Sequence, residues 1–355
     1  MNPVSPARRQ VLKASLLGLA PWGVVSAQPA PLVFPYYSAA QALQGLYCIH
    51  LPQLAQDFAV QAQRLVGAAS DYCTQPDAPE RLHRQWAKAL MSWQTLATPA
   101  LGPVLQRRSQ RQIDFWPTRP ALLDKALARK PQTLAELASI GSPAKGFPAL
   151  EILLRDQSVA PTTRCAYMVL LAQGIEAEAI ALREEFAQWA TRDWTSSEQT
   201  TQTSMAEWIN QWLGGWERLR WMHIEQPLQK ARTRAAPAAF ARYEMAHNVL
   251  EWQTQWQALQ TQALLRPGQK RPPQPEEQLI PIEALLRGKG HLVIANRWSA
   301  LLGEVGKAIE HLTAQSSLAE CLAVAKKMKV VTLWYQNEVA QALDIPLGFS
   351  DADGD

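Results

Sequence analysis

From Ser38 onward the chain carries long runs rich in Ala, Leu, Gln and Glu at helical spacing, and nowhere the Val/Ile/Thr alternation that marks strands. That patterning restricts the fold to the all-α class. The clearest segments run from Ala78 to Thr98, Thr163 to Arg192, Ser204 to Thr233, Pro237 to Ala263, Leu292 to Ser316 and Leu318 to Leu343. Their length favours helix bundles over globin-like packing. Breaks fall at Thr98-Pro99 through Gly102-Pro103, at Trp116-Pro117 through Arg119-Pro120, between Gly141 and Pro148, and in the proline cluster Arg266 to Pro275.

The breaks also suggest organisation. Each half holds a set of about four helices with an irregular proline- or glycine-rich connection, a hint of pseudo-symmetric four-helix-bundle-like domains. The natural cut lies between Arg192 and Ser204, giving helical domains over 28–196 and 197–355, with Asp193 or Ser197 as cap of the following helix. Trp208, Trp212 and Trp216 recur every four residues and therefore line one helix face. Such a stripe reads as core rather than as a ligand stack, because each indole buries a large apolar area. Trp252 and Trp256, one turn apart, read the same way.

The N-terminus reads as an export signal. Arg8, Arg9 and Lys13 precede an apolar stretch from Ala14 to Val25, and Val25-Ser26-Ala27 forms a small-residue cleavage pattern before Gln28. The paired arginines, with Leu12 and Lys13 following, resemble the twin-arginine class, although Val11 stands where phenylalanine is usual. Residues 1–27 are thus expected to be removed and the mature chain to occupy the periplasm. The signal holds three cations and no acids, so the formal net charge falls from +4 to +1.

No cysteine follows the cleavage site to carry a lipid, and no later stretch reads as a membrane span. Nucleic acid is an unsupported partner, since no Lys/Arg run with interleaved aromatics marks a phosphate-tracking surface. Cys48, Cys73, Cys165 and Cys321 are widely spaced without a C-x-x-C. They read as buried free thiols, with a Cys48–Cys73 bridge as the alternative.

Three segments could carry chemistry. The first is Arg111-Gln112-Ile113-Asp114-Phe115-Trp116-Pro117, after Leu101-Gly102-Pro103; the second runs Lys145-Gly146-Phe147-Pro148-Ala149-Leu150-Glu151; the third is Leu347-Gly348-Phe349 with the acidic tail Asp351 to Asp355. Asp114 sits beside large aromatics, where a carboxylate needs a defined partner, and Arg111 or Arg119 is the nearest cation. Glu151, at the start of a helix, either presents a carboxylate to a ligand or satisfies backbone donors and the helix dipole. The tail is no EF-hand, because that loop requires glycine at its sixth position and glutamate at its twelfth. Glu244-x-x-His247 with Glu251 is the nearest approach to a metal-ligand pattern, but no second copy exists and it reads as a solvated polar face. G-x-S-x-G, H-E-x-x-H and a Gly-rich phosphate loop do not occur.

Taken together, the order and spacing of the three segments resemble the imelysin family over nearly the whole mature sequence. The resemblance implies a two-domain helical fold with a functional groove near the junction, an association with bacterial iron uptake, and for some members classification as metallopeptidases. The family signature G-x-H-x-x-E aligns with Gly146, Pro148 and Glu151, so proline replaces the histidine. Proline is tolerated in the first helical turn but has no lone pair for a metal. The implied reading is a periplasmic ligand- or partner-binding protein linked to iron uptake, with a degenerate metal site and a groove built from Asp114, Trp116, Gly146, Pro148 and Glu151. Two other readings stand beside it. One is a metallopeptidase that takes iron or zinc on Glu151 and a recruited His247; the other is a structural periplasmic interaction module whose pocket has lost its ancestral ligand. The partner expected on the leading reading is a periplasmic or membrane component of metal uptake.

Overall fold

The structure, a computed structural model, describes residues 33–75, 79–156, 158–235, 237–269 and 271–348. The export signal and the acidic tail lie outside the described residues. No strand occurs among the described residues, and the fold is all-α. The long helices are α1 Leu51–Thr74, α2 Pro79–Ala97, α3 Gly146–Arg155, α4 Pro161–Trp189, α5 Glu198–Glu217, α6 Met245–Ala263, α7 Leu292–Glu310 and α8 Leu318–Trp334. Four short helices, Pro103–Gln106, Ser109–Ile113, Pro120–Arg129 and Leu134–Ala138, fill the proline-rich stretch between α2 and α3.

Local chemistry sets the ends. Ser197 caps α5 by accepting from the Thr200 N–H, while the other capping candidate, Asp193, accepts from Thr195 instead. Ser317 and Glu320 form a reciprocal capping box on α8. The segment expected to be helical from Pro237 becomes regular only at Met245, because Arg242 and Tyr243 are drawn into hydrogen bonds described below. The expected single helix from Ser204 to Thr233 is interrupted by a π-helical stretch, Arg218–Glu225, which leads into Gln226–Arg234.

Burial follows the apolar stripes. Leu51, Ala55, Phe58, Ala62, Leu65 and Ala69 form the buried face of α1, which packs against α2 and α4. In the C-terminal half Trp208, Trp212 and Trp216 are fully buried, as expected of a core stripe. Trp212 lies 5.6 Å from Trp216 and 5.0 Å from both Trp298 and Tyr335, centroid to centroid. Their indole N–H groups find acceptors: Trp208 donates to Gln262, Trp212 to the Leu259 carbonyl and Trp216 to the Met328 carbonyl. Trp252 and Trp256 are equally buried.

Two expectations are corrected. Cys73 and Cys165 form a disulfide that joins the end of α1 to the start of α4, while half-buried Cys48 and buried Cys321 remain thiols. Spacing along the chain could not reveal the pairing, because it depends on which helix ends meet in space. α4, moreover, is long and apolar enough to cross a membrane by length and composition. Half of its apolar window is buried inside the molecule, against α1 and α3, so its hydropathy is used within the core.

The bridge closes a loop spanning 92 residues. Replacing both Cys73 and Cys165 by serine is expected to lower stability by about 2–4 kcal/mol. Thermal unfolding with and without reductant checks this: the native protein should lose stability on reduction and the double variant should not respond.

Candidate functional site

The site starts from a backbone contact between the first two sequence segments. Gly146 opens α3 at φ +70°, and a Cβ there would lie 2.0 Å from the Ile113 carbonyl oxygen. Only glycine allows both the left-handed φ and the approach. The start of α3 is thereby pressed against the end of Ser109–Ile113, and Asp114 follows at once. Pro148 is buried in the first turn of α3, where its missing N–H would have had no helical partner. The preceding Phe147 carbonyl accepts from the Trp86 indole at 3.1 Å.

Asp114 is 3% exposed and turned inward. Its Oδ2 accepts from Gln94 at 2.7 Å, from Arg242 Nη2 at 3.0 Å and from the Trp93 indole at 3.2 Å, and its Oδ1 lies 2.8 Å from Arg242 Nη2. The expected partners, Arg111 and Arg119, are both exposed; the actual one is 128 residues away. Short-range reasoning failed because the carboxylate is buried, and a buried charge needs a buried counter-ion.

Arg242 is held on the irregular segment before α6, where its backbone exchanges two hydrogen bonds with the Asn248 side chain at 2.9 and 2.8 Å. Its guanidinium also donates to Glu251, from Nε at 2.6 Å and from Nη2 at 3.1 Å. Glu251 is fully buried and accepts further from Gln255 at 3.3 Å. The expectation of a solvated face over Glu244, His247 and Glu251 is therefore wrong for Glu251. Glu244 stands at the N-cap position without a side-chain capping bond and is exposed, His247 is half-buried beside Trp86, and Glu251 faces the interior because Arg242 neutralises it there.

Glu151, 7% exposed, joins the same cluster from α3. Its Oε1 accepts from the backbone N–H of Tyr243 at 3.1 Å. It thus satisfies a backbone donor, though one from a different element than its own helix. Burial raises its pKa to about 6, with Glu251 adding to the rise and with Arg242, the Tyr243 N–H and Arg155 opposing it. The π-helical stretch adds Arg218 and His223. An α-helical period would put residues five apart on different faces, whereas the wider i→i+5 turn brings them to one.

Burial and the guanidinium groups of Arg218 and Arg242 press the pKa of His223 down to about 3, so its ring is neutral at physiological pH. Its Nδ1 lies 3.6 Å from Glu251. Arg218 is half-buried; burial lowers its pKa, and the fields of Asp114 and Glu251 act against that. Two buried nitrogens of this cluster, Arg242 Nη1 and His223 Nδ1, have no hydrogen-bond partner.

Of the residues expected at the site, Asp114 pairs with Arg242 and Glu151 accepts from the N–H of the next residue, Tyr243, while Gly146 and Pro148 shape the turn at the start of α3. Trp116 is half-buried and, among the described residues, gives no hydrogen bond to the cluster. Gly146 also lines a separate cavity of about 180 Å³ with Ile113, Lys145, Leu171, Ile175 and Glu178, and neither Asp114 nor Glu151 reaches it. Glu178 is tied there to Arg107 and Ser109. Of the third segment the described part docks on α5, where the Gly348 N–H donates to Asn210 at 2.8 Å.

A divalent metal does not fit these donors. Pro148 offers no lone pair, Glu151 is engaged by a backbone N–H, and its nearest cationic fields come from Arg242 and Arg155. His247 and Glu151 are joined by no hydrogen bond or ion pair, and no group of three His, Cys, Asp or Glu side chains among the described residues is arranged to hold an ion. Sequence reasoning missed Arg242, Arg218, His223, Gln94 and Gln255. Arg242 lies in a segment read as helix, and the only available signal was that a buried Glu251 would demand a cation.

The imelysin family model matches residues 51–325. The chain belongs to the imelysin family. Among solved structures it is similar to an imelysin-like protein from Psychrobacter arcticum, with a TM-score of 0.69 at 19% identity over 90% of this chain and 100% of that one. It is also similar to a protein named as an iron-regulated protein A precursor, from Parabacteroides distasonis, with a TM-score of 0.64 at 11% identity over 85% and 96% of the two chains. At these identities the likeness is one of fold. No curated protein matches the sequence.

Three outcomes follow for this imelysin. Arg242→Ala strands two buried carboxylates and is expected to cost about 3–5 kcal/mol in denaturant unfolding. Gly146→Ala meets the Ile113 carbonyl and is expected to cost at least about 3 kcal/mol in the same assay. Because the folded-state pKa of Glu151 is raised, its contribution to stability is fully present below pH 4.5 and is lost as pH rises toward 6. Glu151→Gln is therefore expected to abolish that loss and to stabilise the protein near pH 7 by up to about 2 kcal/mol, read as a flatter stability profile between pH 4 and 7.

Proposed function

We propose that the mature protein acts in the periplasm as a ligand- or partner-binding imelysin that serves bacterial iron acquisition, with the family's metal chemistry lost at residue 148. The observation that carries this reading is the setting of Glu151, which meets a backbone N–H and guanidinium fields where the family signature supplies an imidazole. Zinc-type peptidase chemistry requires three protein ligands and an activated water. A carboxylate flanked by arginines instead suits recognition. The helical halves at 28–196 and 197–355 then both build the site, the first through Gln94, Asp114 and Glu151 and the second through Arg218, His223, Arg242 and Glu251.

Iron enters through the family and through the name of the Parabacteroides neighbour. Export is supported by Arg8, Arg9 and the Val25-Ser26-Ala27 pattern, and by the Cys73–Cys165 disulfide, a bond that forms and persists in oxidising compartments. The partner on this reading is a periplasmic or membrane component of metal uptake.

The test combines location and activity. Fractionation of the native host followed by N-terminal sequencing is expected to recover a periplasmic chain beginning at Gln28. That chain, incubated with casein and either zinc or ferrous iron, is expected to leave the substrate intact. An uncleaved precursor in the cytoplasm, or chelator-sensitive cleavage of casein, overturns the reading.

A further inference from the structure

The outer face of α8 carries apolar surface that the packing of the helix does not use. Cys321, Val324, Ala325, Met328, Val331 and Thr332 form its buried side, against α7 and the π-helical stretch. On the other side Val330 and Leu333 are each 52% exposed, and Trp334 is half-buried next to them. Lys326, Lys327 and Lys329 stand on this outer side as well, all exposed. Among the described residues none of the three makes an ion pair or a hydrogen bond through its side chain.

The helical period orders these residues. At about 100° per residue Val330 and Leu333 fall about 60° apart, with Lys329 beyond Leu333 and Lys327 beyond Val330. Lys326 lies between the two apolar side chains, one turn nearer the N-terminus. No acid stands between Cys321 and Asn337, and Glu320 is engaged by the Ser317 backbone and hydroxyl in the capping box. The elements packed against α8 do not cancel the charge. On the π-helical side Arg220 is paired with Glu217 and Glu225, and on α7 exposed Arg297 and Lys307 match exposed Glu304 and Glu310. With the expected signal and its three cations set aside, the formal net charge of the chain falls from +4 to +1, so three uncompensated lysines on one helix face are a local feature.

Cationic side chains on both rims of an apolar strip match the boundary between lipid headgroups and acyl chains. There lysine ammonium groups reach phosphates while their stems lie along apolar surface, and tryptophan is favoured at the same depth. Contacts between proteins, by contrast, are depleted in lysine. We propose that the outer face of α8 docks peripherally on anionic phospholipid bilayers, with Val330 and Leu333 entering the headgroup region and Lys326, Lys327 and Lys329 meeting lipid phosphates. Three charges and two half-exposed side chains make this a reversible contact and not an anchor. The proposal is independent of how the Arg242 cluster is read.

Vesicle flotation of the chain beginning at Gln28 tests this, with equimolar phosphatidylglycerol and phosphatidylcholine compared against phosphatidylcholine alone. Binding is expected to the anionic vesicles only and to weaken as salt is added, because exposed charges are screened. The triple change Lys326→Glu, Lys327→Glu, Lys329→Glu is expected to lower vesicle affinity at least about tenfold, and the same three changes to Gln to lower it less. Val330→Ser with Leu333→Ser is expected to lower it at least about threefold. All five positions are exposed, so each variant is expected to keep the native melting temperature by circular dichroism. No binding to the anionic vesicles overturns the proposal, as does binding that both lysine variants leave unchanged. Salt-sensitive binding that the Val330 and Leu333 changes leave unaltered overturns it too, since a purely electrostatic patch would serve an acidic protein equally well.

Discussion

One guanidinium organises this molecule's interior. Arg242 reaches Asp114 on one side and Glu251 on the other, and all three are almost completely removed from water. Burial by itself would lower the pKa of Arg242, but the fields of Asp114, Glu251 and Glu151 hold it above the ordinary arginine value. Two carboxylates around one guanidinium leave the local charge negative, and half-buried Arg218 nearby offsets it. Such clusters are rarely a gain over a packed apolar core, and breaking one partner is severe. The cluster's value here is positional. It fixes the segment before α6 against α2, α3 and the turn at Asp114, elements separated by as much as 161 residues in the pair Gln94–Gln255.

The helical class, the break points and the tryptophan core were legible in the sequence because each rests on local periodicity. Trp208, Trp212 and Trp216 fall on one face whatever surrounds the helix. The pairing of Cys73 with Cys165 was not legible, since two helix termini far apart in sequence had to meet. The π-helical stretch was hidden for a related reason: R-L-R-W-M-H-I-E carries no signal distinguishing an i→i+5 turn from an α-helical one. Part of the cluster around Arg242 lies in the motif segments. Asp114, Gly146 and Glu151 stand in the segments that carry the family resemblance, and the glycine's structural role became clear from its contact with Ile113. Their counter-ion was not found, because nothing in A-R-Y-E-M marks that arginine as buried.

Pro148 stands at the position that the resemblance assigns to the signature histidine. Proline keeps the first turn of α3 intact, and Glu151 keeps a partner by accepting from the Tyr243 N–H. Around that carboxylate the Tyr243 N–H and the fields of Arg242 and Arg155 favour the charged form, while burial and Glu251 oppose it.

All of this depends on Arg242 being energetically bound to the turn at Asp114. A double-mutant cycle with Asp114→Ala, Arg242→Ala and the double variant, read by denaturant unfolding, measures that bond directly. A coupling of about 2 kcal/mol or more is expected for a buried, hydrogen-bonded charge pair. Additive single effects, with coupling below about 0.5 kcal/mol, would contradict the account.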